Sequence, residues 1–441
     1  LSLRQGDMPA APCGPGSALT VTGTNFVQFS GGTLTGGVSC RFSSPLQVGA
    51  PMSVQLLSSP LTATNAETGL TTVSDAFAAG SNPASLDLAA QLDDFLDDVG
   101  PDNEIGYALG DASSWSDVIG IATAMSVSSL GSTLQSGAAA VRETGRTIGG
   151  RQAGKQGLAS GDTVQLSRNI WLSGFDGSAE QDDVGAVPGY GGYEADISGF
   201  TFGADMETDA NWTVGVAISV ADTETDGDLD GGALEVDSDL LMTSLYASYD
   251  VSASTTVNLQ ATVGSAENES SRTIGAQVAS ADYDSDVSRV SATIMQKREG
   301  GSLTLAPYGF AEYLRVDTEG FTETGAGVLN QTLSSDTLEE MVFGVGALAN
   351  VAVGDNLSLI GDLSLGYDLR ADSDSTITGS FANGGVVFTE VGVSQHPLVY
   401  GAGIGARYGM GERSDVTVSY DYSGRESYDS AQVSLKVNWK F

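Results

Sequence analysis

Apolar and polar residues alternate along the last ten residues of the chain, 432–441. Because successive side chains of a β-strand point to opposite faces, this segment predicts a strand with one apolar and one polar face. The same alternation recurs at residues 212–220, 257–263 and 357–365. It is therefore a property of the whole C-terminal part of the chain. The apolar face of the last strand comprises Val433, Leu435, Val437, Trp439 and Phe441.

From about Thr163 onward the pattern predicts twelve strands with alternating connections. The connections after even-numbered strands are short and those after odd-numbered strands are long. This alternation places all short turns at one mouth of a barrel and all long loops at the other, as in outer-membrane barrels. The fold class predicted is therefore an all-β membrane barrel of antiparallel strands. The strands are predicted at 163–175, 193–205, 211–222, 239–251, 255–266, 287–298, 302–316, 340–353, 357–371, 397–410, 415–424 and 430–441.

The apolar faces of these strands are expected to contact lipid. Two strands fit the pattern less well. The first places Arg168 in line with apolar residues, and the seventh contains Pro307, which cannot donate a hydrogen bond to a neighbouring strand. The predicted lipid-facing set includes Val214, Val216, Ile218, Val257, Leu259, Leu359, Leu363, Leu435 and Val437.

Two further regions precede the barrel, which is placed at residues 161–441. Residues 1–62 contain short β-like runs separated by Gly and Pro, and predict a small β-rich N-terminal module, either a passenger remnant or a display module. Residues 63–160 are expected to be mainly helical or linker. Within them, residues 85–96 have apolar residues at helical spacing.

An uncharged run extends from Val118 to Val141 and is rich in Ser, Thr and Gly. It is long enough for a transmembrane helix but too polar to face lipid. The alternatives are a helix in the barrel lumen or just below it in the periplasm, a flexible linker and a lipid-spanning helix. We favour a lumen helix at 115–146, with its charged end at 142–146 leaving the pore and Gly149 and Gly150 terminating it.

Composition excludes one class of partner and indicates a compartment. The net charge is −38, from 18 Lys plus Arg and 56 Asp plus Glu. Such a surface repels nucleic acid, so nucleic-acid partners are excluded. Cys13 and Cys40 are either a disulfide in an oxidising compartment or two unrelated thiols, and we favour the disulfide. The chain starts at Leu1 without a signal peptide, which we interpret as a processed or truncated product.

Candidate chemistry is sparse. The single histidine, His396, precedes a proline at a strand start, and no Gly-x-Ser-x-Gly motif accompanies it, so we expect no enzyme. No cofactor is expected except calcium. A motif of acidic residues around Gly231 has the spacing of a calcium loop, with the alternative that it is a solvated acidic loop between the third and fourth strands. Its candidate ligands are Asp226, Asp228, Asp230 and Asp237.

Residues 160–441 resemble the C-terminal translocator domain of the autotransporters (type V secretion). The likeness is carried by Asn169–Phe175, by the Gly-rich segment Tyr400–Gly405 and by the terminal strand ending at Phe441. The resemblance implies a twelve-stranded barrel preceded by a lumen helix. It also implies that Val437, Trp439 and Phe441 form a signal read by the barrel-assembly machinery.

Two functions follow from these observations. The first is a non-enzymatic outer-membrane autotransporter barrel that translocates or anchors its N-terminal segment at the cell surface of a Gram-negative bacterium. The alternative is a porin-like channel for small solutes or cations. The partner in both is the outer-membrane lipid bilayer, with short turns and the N-terminal region at the periplasmic side and long acidic loops outside. The position of residues 115–150 relative to the barrel separates the two, because a helix in the lumen would block conduction.

Overall fold

The computed structural model describes part of the chain in atomic detail. The described residues are 18–22, 26–30, 73–74, 89–90, 92–93, 131–155, 168–182, 192–208, 211–229, 232–274, 277–371, 376–381, 387–391 and 395–441. In the N-terminal part, strands β1 (Ala18–Thr22) and β2 (Phe26–Ser30) pair antiparallel. Residues 89–90 and 92–93 are helical, which agrees with the helical spacing of 85–96.

Twelve antiparallel strands form a closed barrel, each paired with its neighbours in chain order. The first strand pairs with the last over Asn169–Gln181 and Tyr428–Lys440, and this pairing closes the barrel. The backbone N–H of Phe441 donates to the carbonyl of Arg168 at 2.9 Å. The barrel strands are β3 (Arg168–Gln181), β4 (Tyr193–Glu207), β5 (Trp212–Leu229), β6 (Gly232–Ser252), β7 (Thr255–Ile274), β8 (Gln277–Gln296), β10 (Leu303–Thr318), β13 (Asp336–Ala352), β14 (Leu357–Asp368), β17 (Leu398–Gly409), β18 (Ser414–Arg425) and β19 (Tyr428–Lys440).

All twelve predicted strands are confirmed, but several are longer than expected. Strands β5 and β6 continue past their predicted ends and pair up to Leu229 and Gly232. Strands β7 and β8 do the same up to Ile274 and Gln277. The segments after the third and fifth strands, predicted as long loops, are therefore continuations of the strands. Their side chains still alternate between the two faces of the barrel, but the residue types on each face differ from those nearer the short turns.

The lipid-facing prediction is confirmed. Seven of the nine predicted residues are exposed on the outside of the barrel, and Val257 and Val437 are half-exposed on the same face. Inward residues of these segments are polar, and pairs of hydroxyls hydrogen-bond across strands, such as Thr201 with Ser219 at 2.9 Å and Ser244 with Thr262 at 2.8 Å. We call this part of the interior the polar inner lumen.

Towards the long-loop mouth the chemistry of the outer face changes from apolar to acidic. Outward positions of β4–β8 become acidic, and cross-strand neighbours repeat the charge. One continuous row runs Asp196, Glu224, Asp237, Glu269 and Asp282, and the next row runs Asp222, Asp239, Glu267 and Asp284. We call these nine exposed residues the acidic collar. Inward residues of this part of the barrel include a buried apolar set, which we call the apolar outer lumen: Ile197, Ala221, Leu240, Ala266, Val287, Leu314 and Val316. Buried polar side chains lie beside this set, such as Ser238, Asn268 and Ser285, which hydrogen-bond to one another.

A second sheet lies in the long loops and was not predicted. It has four strands in the order β11 (Phe321–Thr322), β12 (Gln331–Leu333), β15 (Thr376–Phe381) and β16 (Val387–Val391). A short 3-10 helix, Gly327–Leu329, precedes β12, and β9 (Arg298–Gly300) pairs with the start of β10 at the opposite mouth. Arg272 of β7 binds Glu323 through a buried ion pair, Nη2 to Oε2 at 2.5 Å, which fixes the loop that carries this sheet.

The two misfits of the strand pattern have simple structural accounts. Arg168 is the first residue of β3 and is exposed at the short-turn mouth, so it lies at the end of the apolar face and not within it. Pro307 lies in β10 opposite Ala347 of β13, one residue before the pairing of β10 with β8 begins at Tyr308. Its missing N–H therefore falls at the edge of one of the two pairings.

Candidate functional site: the helix-filled lumen

One long helix, α1 (Gly131–Lys155), lies inside the barrel. The prediction of a lumen helix is confirmed for residues 131–146, whereas residues 115–130 lie outside the described part of the chain. Among the described residues no helix is both long and apolar enough to cross a membrane. The predicted end is wrong, because α1 continues through Gly149 and Gly150 to Lys155.

Close packing against the barrel wall explains why glycine does not terminate the helix. A Cβ added to Gly145 would lie 2.3 Å from the guanidinium of Arg289, and one on Gly150 would lie 2.9 Å from Nζ of Lys436. Glycine thus leaves room for these long wall side chains to approach the helix backbone. Tertiary contact overrides the weak helix propensity of these residues.

The helix runs from the long-loop mouth to the short-turn mouth. Near its start, the Thr133 hydroxyl is 3.1 Å from the Tyr283 hydroxyl, close to the beginning of β8. Near its end, Nε2 of Gln152 donates to the carbonyl of Ala247 at 2.9 Å, close to the end of β6. The expectation that the N-terminal region lies with the short turns is therefore wrong for the start of α1, which lies at the long-loop mouth.

The first half of α1 packs in the apolar outer lumen. Leu134 and residues 138–141 are buried there against Ile197, Leu240 and Val316. In the second half, Ile148 packs in a smaller apolar cluster with Trp171, Ala217 and Tyr246. The helix is therefore apolar at one end of the lumen and mainly polar at the other.

A first charged cluster joins the middle of α1 to the wall. Nη1 of Arg142 binds Oε2 of Glu340 at 2.6 Å, and the same carboxylate accepts from Nη2 of Arg425 at 2.8 Å. Arg425 also binds Asp368 at 3.3 Å, and Arg142 donates to the Tyr428 hydroxyl at 3.2 Å. Residues 142–146, expected to leave the pore, instead lie within it.

A second cluster joins the end of α1 to the opposite part of the wall. Arg151 donates to Asp205 through Nε and Nη2, at 2.9 and 3.1 Å. The same carboxylate accepts from Tyr246 at 2.9 Å and from Asn169 at 3.0 Å. Nε1 of Trp171 donates to the Tyr246 hydroxyl at 2.8 Å, which fixes that ring. Four donors therefore satisfy one buried carboxylate, as a buried charge requires.

Two further contacts hold the polar half of the helix. Nζ of Lys436 donates to the carbonyl of Thr147 at 3.1 Å. Nε2 of Gln260 donates to Gln152 at 2.9 Å, and Gln260 itself accepts from Arg289 at 2.8 Å, which also binds Glu312. Side chains of four wall strands thus converge on α1.

A cavity of about 380 Å³ remains beside α1, lined by residues of β7, β8, β10, β13, β14, β17, β18 and β19. Asp362 and Asp421 face it from either side of Gly403, and a Cβ on that glycine would lie 2.5 Å from Oδ1 of Asp421. In a chain with only 18 basic residues, the basic lining is notable. It comprises Arg142, Arg146, Arg151, Arg289, Arg407, Arg425 and Lys436.

The other residues singled out from the sequence lie elsewhere. Asp226 and Asp228 are in β5 and Asp237 is in β6, so the acidic motif is a strand hairpin and not the loop that was expected. Asp230, Cys13 and Cys40 lie outside the described residues, and calcium binding and the disulfide stay predictions. Within the described part of the chain no three His, Cys, Asp or Glu side chains group together closely enough to hold a metal ion. His396 lies 3.4 Å from Glu426 on the surface.

The terminal residues lie on the outer face at the short-turn mouth. Trp439 and Phe441 are exposed there, in line with half-exposed Val437. Inward Gln432, Ser434, Lys436 and Asn438 are buried in the lumen. The predicted two faces of the last strand are confirmed.

Comparisons with known proteins agree with this architecture. The sequence profile described as the autotransporter beta-domain matches residues 170–421. Outer membrane protein B of Rickettsia prowazekii (strain Madrid E) is 23% identical over 301 residues, which cover 64% of this chain and 18% of that protein. The corresponding protein of Rickettsia typhi (strain ATCC VR-144 / Wilmington) is 23% identical over 315 residues, covering 67% of this chain and 18% of that protein.

Among solved structures, the translocator domain of the autotransporter NalP from Neisseria meningitidis has the same fold. It superposes with a TM-score of 0.52 at 19% identity, covering 69% of this chain and 98% of that domain. The profile match spans more than half of the residues, and the closed barrel with its lumen helix is the architecture expected from it. The chain is an outer-membrane β-barrel protein and belongs to the autotransporter beta-domain family.

Proposed function

We propose that this barrel translocates the segment preceding α1 across the outer membrane and anchors it at the cell surface. The observation that carries the proposal is the path of α1, which enters at the long-loop mouth and ends at the short-turn mouth, where β3 begins. A chain that leads outward from the barrel must pass through the lumen in this direction. The helix would then be the final, retained part of the exported segment.

The distribution of charge supports an orientation with the long loops outside. The acidic collar lies on the long-loop side of the apolar belt. Arg168, Arg298, Arg413 and Lys440 are at the short-turn mouth, where both ends of the barrel also lie. We propose that the short turns face the periplasm, as in bacterial outer-membrane barrels.

A protease-accessibility experiment tests both statements. An epitope with a protease site is inserted before residue 131, and the matched control carries the same insertion at Gly354 in a short turn. External protease added to intact cells should cleave the first epitope, and should cleave the control only after the outer membrane is permeabilised. Protection of the first epitope, or cleavage of the control in intact cells, would contradict the proposal.

The porin-like alternative is not favoured, because α1 and its wall contacts occupy much of the lumen. We infer that the barrel itself acts without catalysis and that its role is to bind and hold a polypeptide. An activity of the exported segment would be separate from this role.

We also propose that Val437, Trp439 and Phe441 are read by the barrel-assembly machinery, with the terminal aromatic exposed at the short-turn mouth in support. Deletion of Phe441 should lower the amount of barrel in the outer membrane more than it lowers the stability of the barrel that assembles. Lys440→Ala, at the adjacent position, is the control and should assemble normally. Unchanged outer-membrane levels after the deletion would refute the proposed role.

A further inference from the structure

We propose that the lumen contains an arrest site, which stops the exported chain at one position along the barrel axis. One part of the site binds the apolar half of α1 and the other part binds its charged half. The inference rests on the proposed function and adds which residues set the stopping point. The site has two parts along the barrel axis: the apolar outer lumen, and two carboxylates in the wall, Glu340 and Asp205, that bind Arg142 and Arg151.

The apolar part selects a specific stretch of helix. Leu134, Ala138 and Val141 are buried in the apolar outer lumen, where wall residues such as Leu240, Leu314 and Val316 contribute no hydrogen-bonding groups. At these helix positions a polar side chain would lose hydration without gaining a partner. The buried polar residues of the same segment, Thr133 and Gln135, have partners in the hydroxyls of Tyr283 and Tyr193. The apolar outer lumen therefore favours residues 134–141 over the polar residues that follow.

The charged part fixes the same position independently. Arg142 and Arg151 are nine residues apart, or about 13 Å along a helix, and each meets its own carboxylate on a different side of the wall. Neither pair can form if the helix moves by one turn. Removing one partner of a buried ion pair leaves an uncompensated charge, which is costly in such surroundings.

Displacement in either direction breaks both matches together. Movement of one turn, about 5.4 Å, towards the long-loop mouth brings Arg142 into the apolar outer lumen. The same movement inward places Ala138 and Val141 beside the polar inner lumen and leaves Glu340 without Arg142. The two parts of the site thus reinforce a single stopping position.

Site-directed cross-linking measures that position. Gly137 faces Val316, since a Cβ on this glycine would lie 3.8 Å from Cγ1 of the valine. In a background with Cys13→Ser and Cys40→Ser, the pair Gly137→Cys/Val316→Cys reports the native position. Val141→Cys or Thr133→Cys with Val316→Cys reports a displacement of one turn outward or inward. Each pair is tested in the full chain assembled in cells, with heat-modifiable mobility confirming a folded barrel.

The decisive comparison uses the arginines. Arg142→Gln/Arg151→Gln combined with Ala140→Gln should largely abolish the native cross-link and produce a displaced one. Arg146→Gln is the matched control, because Arg146 lies between the two arginines but pairs with Glu143 of the same helix. This variant should keep the native cross-link. Should the triple variant not assemble, Arg142→Gln and Arg151→Gln are compared singly, with partial displacement expected in each.

A native cross-linking pattern in these variants would overturn the arrest site. The protease assay on the epitope before residue 131 is run on the same cells. If that epitope reaches the surface and the native pattern persists, only the arrest site fails. If the epitope never reaches the surface in the unsubstituted chain, the proposed export function fails instead.

Discussion

Arg151 of the helix and Asp205 of the wall form a two-point ion pair, with Nε–Oδ2 and Nη2–Oδ1 distances of 2.9 and 3.1 Å. The pair is not symmetric in its surroundings. Asp205 keeps donors from Tyr246 and Asn169 when the arginine is removed, whereas Arg151 lines a cavity and makes its hydrogen bonds to Asp205. Removal of the Asp205 carboxylate therefore breaks more hydrogen bonds than removal of the Arg151 guanidinium.

We expect Asp205→Ala to destabilise the barrel by about 3–5 kcal/mol, because it leaves the guanidinium and two further donors without their acceptor. Arg151→Ala should cost less. The measurement is unfolding of purified protein, followed by loss of heat-modifiable mobility with temperature or denaturant. Arg146→Ala, which removes an arginine that pairs with Glu143 of its own helix, is the control. Equal losses of stability for Asp205→Ala and Arg146→Ala would contradict the role of the Arg151–Asp205 ion pair.

Val216 lies in the apolar belt on the outside of β5, and Glu224 lies on the same face of the same strand within the acidic collar. We expect Val216→Arg to destabilise the folded barrel in bilayers by roughly 2–4 kcal/mol, because an arginine would be placed among lipid chains. Glu224→Arg is the matched control and should not destabilise, since it faces water among carboxylates. Similar values for the two variants would show that the belt is misplaced.

Strand positions were predictable because each strand has one apolar face, and this alternation is visible in a single sequence. The strand extensions beyond the belt were not, because residues 223–229 and 232–238 still alternate, but with mainly acidic residues outside and a mixture of Thr, Ser, Leu and Val inside. Such a segment resembles a polar loop when only hydrophobic faces are sought. The end of α1 was mispredicted for a related reason. Gly149 and Gly150 are typical helix terminators, and their place within a helix depends on contacts of α1 with the barrel wall, such as the approach of Lys436 to Gly150.

The wall partners of the helix left a weaker signal. Asp205 and Glu340 stand at inward positions of strands, where the alternation predicts polar residues in any case. Their pairing with Arg151 and Arg142 depends on which strands surround the helix and at what height. That information arises from the closure of the barrel and is not contained in any local pattern.

The acidic collar brings like charges into direct cross-strand contact, as at Glu224, Asp237 and Glu269. Adjacent strands are about 4.8 Å apart, and like charges directly opposite are destabilising. Raising the salt concentration from about 0.01 M to 1 M shortens the screening length from about 30 Å to 3 Å, so we expect the unfolding temperature to rise. Glu224→Gln/Asp237→Asn should show a smaller rise. A salt response unchanged by these substitutions would mean that the collar is not its source.

The final prediction concerns conduction. The helix packs against β3–β8, β10, β13 and β19 and leaves a cavity beside it. The end of that cavity towards the long-loop mouth is lined by the buried cluster of Arg142, Glu340 and Arg425. Water and ions therefore have a narrow, interrupted path through the lumen. We expect intact protein in planar bilayers to conduct poorly.

Deletion of residues 1–155 removes the whole helix, including the residues beyond Gly150 that bind Asp205 and Ala247. The polar inner lumen should then fill with water, and the single-channel conductance should rise well above that of the intact chain. Deletion of residues 1–130 is the matched control, because it leaves α1 in place and should keep the low conductance. Large, stable conductance from the intact protein would show that the helix does not block the lumen, and would favour the porin-like alternative.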